Sequence, residues 1–158
     1  MESLSFNLEY EWVPFTLRGV HMAFEEHRTA RLSQQDSSDW GPTVYRWEGT
    51  LNQGEHSGQV GVLIGETDDL RQRIKQYVSG TQESGNKYWR EQFLTRGDIR
   101  LSTIRFNNCR LNTTSGGVVN CEKRDLASGN FRLILEQLLV QVEVGKQDVG
   151  RWVVNRKL

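Results

Sequence analysis

Arg73 and Tyr77 of this 158-residue chain have types and spacing that suit phosphate binding, and Tyr45 and Glu136 are of types that could join them in phosphoryl chemistry. Arg73 and Tyr77 are four positions apart, so on a helix they share one face, and a guanidinium beside a phenol is a donor pair for an anion lying over that face. Arg73 would offset charge developing on phosphoryl oxygens; the alternative is a surface ion pair with Asp69, one turn earlier. Glu136 has Leu133, Leu139 and Val140 as its helix-surface neighbours. An unpaired carboxylate among such residues is costly, and either a bound cation or Arg132 at the preceding turn would relieve it. One carboxylate completed by water and phosphate oxygens is a common way of holding Mg²⁺, which dehydrates reluctantly. Tyr45 would assist deprotonation of an attacking water only if a nearby cation lowered its pKa from about 10. Its other reading is a core ring with a satisfied hydroxyl.

The elements that must position these groups are legible from periodicity. Strict alternation over residues 3–12 (Leu4, Phe6, Leu8, Tyr10 and Trp12 on one face) predicts a half-buried strand ended by Pro14. Residues 20–32 predict a helix, followed by a polar connector at 33–39. Thr43–Thr50 and Val60–Glu66, separated by turn formers, predict a hairpin. Thr67 with Asp68 and Asp69 marks a helix start, and Leu70, Ile74, Tyr77 and Val78 give that helix an apolar stripe to about Val78, with Gly80 as its stop. A second helix is expected over Lys87–Leu94, a strand over Ile99–Phe106 and a short strand at Val118-Val119. The strongest helix starts at Asn130, with Phe131, Ile134, Leu135, Leu138, Leu139 and Val142 expected to form its core-facing stripe. Trp152-Val153-Val154 closes the β-prone segments.

Val44-Tyr45-Arg46 on a first strand, then Ile64, Gly65, Thr67, Leu70, Arg73, Ile74 and Tyr77 at fixed spacing on a second strand and helix, resemble the GIY-YIG nuclease superfamily, the first motif being as it occurs in UvrC-type incision domains. The likeness covers roughly residues 41–141. It implies an α+β domain with a small antiparallel sheet flanked by helices, here carrying an N-terminal strand and helix (residues 1–40) ahead of the nuclease-like domain (41–158). It further implies Mg²⁺ or Mn²⁺ on Glu136, a DNA substrate, and hydrolysis leaving a 3′-hydroxyl and a 5′-phosphate, with Tyr45, Arg73, Tyr77 and Glu136 as the catalytic set. Three positions depart from the pattern: Thr43 replaces the first Gly, Leu63 replaces a Tyr, and Glu66 stands where relatives often carry Lys or Gln. Asn155 resembles a late Asn of some members.

Composition sets the remaining bounds. Twenty Lys and Arg balance 20 Asp and Glu, but residues 1–40 carry three Arg against seven acids, whereas the rest carries 17 basic against 13 acidic residues. Such a balance excludes a protein that coats nucleic acid through bulk charge. The local excess over residues 87–110 makes Lys87, Arg90, Arg96, Arg100 and Arg105 the expected DNA-backbone contacts. Neither a membrane-spanning run nor a signal-peptide pattern is present, which leads to the expectation of a cytoplasmic protein. Cys109 and Cys121 are too few for a disulfide framework and are expected as thiols; His21, His27 and His56 lack zinc-site spacing. Two alternatives to a nuclease follow from the same residues: a nucleic-acid-binding module whose catalysis Leu63 and Glu66 have removed, and a protein-interaction domain suited to the acidic N-terminal part.

Overall fold

A computed structural model describes residues 1–17, 19–24, 40–79, 97–146 and 150–155. Its elements are β1 (Leu4–Pro14), β2 (Thr16–Leu17), β3 (Val20–His21), β4 (Thr43–Thr50), β5 (Val60–Thr67), α1 (Leu70–Ser79), β6 (Arg100–Thr113), β7 (Val118–Asn120), a 3-10 helix (Lys123–Ala127), α2 (Gly129–Val144) and β8 (Arg151–Val153). The class is α+β. The main sheet runs β1-β6-β4-β5-β8 with β7 also on β6. It is mixed, not antiparallel throughout, because β8 returns parallel to β5.

The two α-helices among the described residues cover opposite faces of this sheet. Tyr45, Trp47 and Leu63 from one face form a core with Leu70, Ile74 and Tyr77 of α1 and with Phe15, Met22 and Phe24. Val44, Val62, Ile64 and Ile104 point the other way and pack on Leu135, Leu139 and Val140 of α2, with Phe6, Leu8, Tyr10 and Trp12 of β1 alongside. The alternation of β1 does what its pattern demands from Phe6 to Trp12, whereas Leu4, expected on the same face, is 67% exposed; the predicted β4–β5 hairpin forms with Tyr45 opposite Gly65. β1 is also an edge strand of the main sheet, paired with β6 along its full length, with a bulge between Glu9 and Tyr10.

Several expectations need correcting. Residues 20–24 are extended, not helical: Met22 donates to Phe15 O, Phe24 donates to Ile99 O, and Ala23 bridges to Arg100. Extended pairing buries Met22, Ala23 and Phe24 together, which a single-faced helix could not do. β6 continues seven residues beyond Phe106, because β1 supplies a partner as far as Thr113. Asp69, not Thr67, caps α1: its carboxylate accepts from Gln72 N–H at 2.8 Å, while the Thr67 hydroxyl accepts from Asp69 N–H.

The stripe of α2 is also rotated from its expected position. Its buried face is Arg132, Leu135, Leu139, Val140 and Glu143, whereas Ile134, Leu138 and Val142 are 52%, 40% and 44% exposed. The two buried charges have partners that hydrophobicity cannot reveal: Arg132 meets Glu66, and Glu143 meets Arg151, Arg46 and Lys146. The remaining part of the 20–32 helix, the 33–39 connector, Gly80 and the helix at Lys87–Leu94 lie outside the described residues.

Candidate active site at the end of strand β5

β8 accompanies β5 only as far as Val62. Beyond it the edge of β5 is closed by one side chain, Asn155, whose amide accepts from Ile64 N–H at 3.1 Å and donates to Ile64 O at 2.6 Å. The late Asn is therefore a structural clasp on β5. Past Ile64, the backbone of Glu66 comes near enough to the Glu136 carboxylate of α2 to favour its ionised form. This is where groups from both helices come within electrostatic reach.

Tyr45 and Tyr77 meet on the α1 side of that strand end. Both are buried, their hydroxyl oxygens are 2.8 Å apart, and their rings are edge to face at 6.3 Å. Gly65 makes room for them, since a Cβ there would run into the Tyr45 hydroxyl. The physical need for Gly65 is thus the cross-strand approach of a phenol. Leu63, the residue in place of a Tyr, is buried in the same core, opposite Trp47.

Arg73 stands one turn before Tyr77 on α1. Its alternative pairing is not realised: Asp69 uses its carboxylate as the helix cap, and the buried Nε of Arg73 has no hydrogen-bond partner among the described residues. Arg46 Nε is a second such atom among the described residues, and buried donors of this kind call for an explanation such as a bound ligand or water. Glu136 does not take Arg132 as its partner either. The Arg132 guanidinium bonds to Glu66 at 2.7 Å through Nε and to the carbonyls of Leu126 and Ala127 at 2.7 and 3.1 Å through Nη1. Glu66 is in this way balanced by a buried cation.

Electrostatics follow from this layout. Burial, with Glu66 adding repulsion and Arg73 opposing both, pushes the Glu136 carboxyl up to about 7. Burial raises Tyr77 to about 12 and holds Tyr45 well above 10, with Arg73 lowering and Glu136 raising both. The cation expected to lower Tyr45 is present, but desolvation outweighs it. Both phenols therefore keep their protons at neutral pH and act as hydrogen-bond donors.

The residues fit a divalent ion in one way. Glu136 is a half-buried carboxylate that lacks a dedicated cationic partner, and an ion would supply one. Among the described residues no group of three or more His, Cys, Asp or Glu could hold a metal, so water and substrate oxygens would have to complete the shell.

Of the expected backbone contacts, Arg100 is engaged internally, donating to His21 O at 2.7 Å and to Asp98 at 3.1 Å. Arg105 is 62% exposed and carries a surface pair with Glu11. It lines a groove of about 690 Å³ together with Lys123, Arg124, Thr43, Thr103 and Phe106. Among the described residues no carboxylate lines that groove. Lys123 and Arg124 were missed by sequence reasoning because they lie outside the basic stretch and reach Arg105 only through the fold. Leu126 and Ala127 join groove and site, since they line the one and hold Arg132 of the other. Lys87, Arg90 and Arg96 lie outside the described residues. Comparison of the chain with models of known families, with curated proteins and with solved structures gave no match.

Proposed function

We propose that this protein is a metal-dependent endonuclease that hydrolyses DNA phosphodiester bonds at the end of β5, in keeping with its GIY-YIG-like motifs. The observation that carries the proposal is the buried, unpartnered Nε of Arg73 beside the Tyr45–Tyr77 hydroxyl pair and within electrostatic reach of Glu136. Arg73 binds the non-bridging oxygens of a phosphate and stabilises charge that builds on them. Tyr45 and Tyr77 share one hydrogen between them, which leaves the other hydroxyl hydrogen to orient the phosphate. Glu136 holds Mg²⁺ or Mn²⁺, which when bound supplies Lewis-acid stabilisation of a leaving oxygen. A proton-accepting role for Tyr45 requires cationic charge beyond that of Arg73, because burial holds its proton so firmly. Arg105, Lys123 and Arg124 contact the DNA backbone along the groove.

The second reading is a binding module without catalysis, favoured by Leu63, whose side chain has no proton to exchange and is buried. Plasmid DNA incubated with the protein and Mg²⁺, beside Arg73→Ala and Glu136→Ala, separates the two. Nicking by the native protein that both variants lose supports the enzyme, and nicking retained by both points to a contaminant. Salt-sensitive retention of DNA with no nicking supports the binding module.

A further inference from the structure

We infer that Cys109 and Cys121, the chain's two cysteines, form a reversible cross-strand disulfide site. Arg110 pairs with Asn120 in the β6–β7 ladder, and the next step of that register sets Cys121 directly opposite Cys109, with Cys121 N–H donating to Cys109 O at 2.8 Å. Directly opposed antiparallel residues lie roughly 4.5–5.5 Å apart at Cα, within the range of about 4.4–6.8 Å that a disulfide spans. Their side chains leave the same face of the ladder, and both cysteines are free thiols within hydrogen-bonding reach of each other. Eleven intervening residues conceal this adjacency in the sequence.

The substrate class is a low-molecular-weight disulfide, RSSR. Cys121 is the more exposed of the two, so its thiolate attacks one RSSR sulfur, giving a Cys121–SR mixed disulfide and releasing RS⁻. Cys109, once deprotonated, attacks Cys121 Sγ, forming the protein disulfide and displacing the second RS⁻. Two electrons and two protons leave the protein thiols, and RSSR becomes two RSH. Burial next to Cys121 pushes the Cys109 thiol up to about 12, which makes its attack the slow step. Cys121 adjoins Glu122, whose N–H donates to Asp125 at the start of the 3-10 helix that carries Lys123 and Arg124. The bond would anchor one wall of the cationic groove.

The test is incubation of the native protein with glutathione disulfide, followed by thiol titration, intact mass, a non-reducing gel and thermal melting. The expected product is a monomer lacking two hydrogens and carrying no glutathione, restored by dithiothreitol. Closing this loop should favour folding by roughly 100-fold on the chain-entropy model, a rise in Tm of about 5–10 °C. Cys109→Ser should stop at a glutathione adduct on Cys121; Cys109→Val serves if the serine variant does not fold. Unreacted thiols, an intermolecular dimer, stable adducts on both cysteines or a lower Tm after oxidation would each overturn the assignment.

Discussion

Replacing Glu136 with Gln should stabilise this protein, and do so only above about pH 5. The carboxyl ionises near its ordinary value of 4.5 in the unfolded chain and at about 7 when folded. Between those two values the folded state binds more protons than the unfolded state, so stability falls as pH rises through that window and stays lowered above it. The full difference corresponds to a ceiling of about 3 kcal/mol at 1.36 kcal/mol per pH unit. Partial solvent access reduces the expected gain to about 1–2 kcal/mol, a rise in Tm of about 2–8 °C at pH 8. Thermal melts of both proteins at pH 4, 6 and 8 check this, with the difference near zero at pH 4. A variant less stable at pH 8, or an equal difference at every pH, refutes the electrostatic account of Glu136. Mg²⁺ supplies a second arm: at about ten times its Kd it should add about 1.4 kcal/mol to the native protein and nothing to the variant.

Three further outcomes follow from packing. Gly65→Ala places a methyl against the Tyr45 hydroxyl, and should cost about 1–3 kcal/mol in urea denaturation and break the Tyr45–Tyr77 hydrogen bond. Arg132→Met strands the Glu66 carboxylate and two carbonyls, for a loss of about 3–5 kcal/mol. Adding Glu66→Gln should recover part of that loss in a double-mutant cycle. On α2, Leu135→Ala should cost about 2–5 kcal/mol, whereas Ile134→Gln and Leu138→Gln should each stay within about 0.5 kcal/mol, compared by the same urea midpoints.

The strands and α1 were legible because their burial is one-sided and local. The alternation from Leu4 to Trp12, the turn formers between β4 and β5, and the spacing of Leu70, Ile74 and Tyr77 each encode one face. α2 was legible as a helix but not in its orientation. Its core face is completed by Arg132 and Glu143, whose burial depends on Glu66 and Arg151, residues 66 positions before and 8 after. Residues 20–24 were misread for a similar reason, since their strand partners are Phe15, Ile99 and Leu101, two of them about 80 positions away. At the site, the i, i+4 relation of Arg73 and Tyr77 was visible, and so was the isolation of Glu136 among apolar neighbours. The Tyr45–Tyr77 hydrogen bond, the Arg132 clamp on Glu66 and the placement of Lys123 and Arg124 are tertiary facts with no local signature.

Asn155 carries a consequence for association. A strand edge left open after β8 departs would offer another chain's backbone a template. The carboxamide has one donor and one acceptor in the geometry of a peptide group, and it occupies the position at Ile64 that a docking strand would need first. Asn155 thus acts as a terminator of sheet growth on that edge of β5, closing it to a further strand at Ile64.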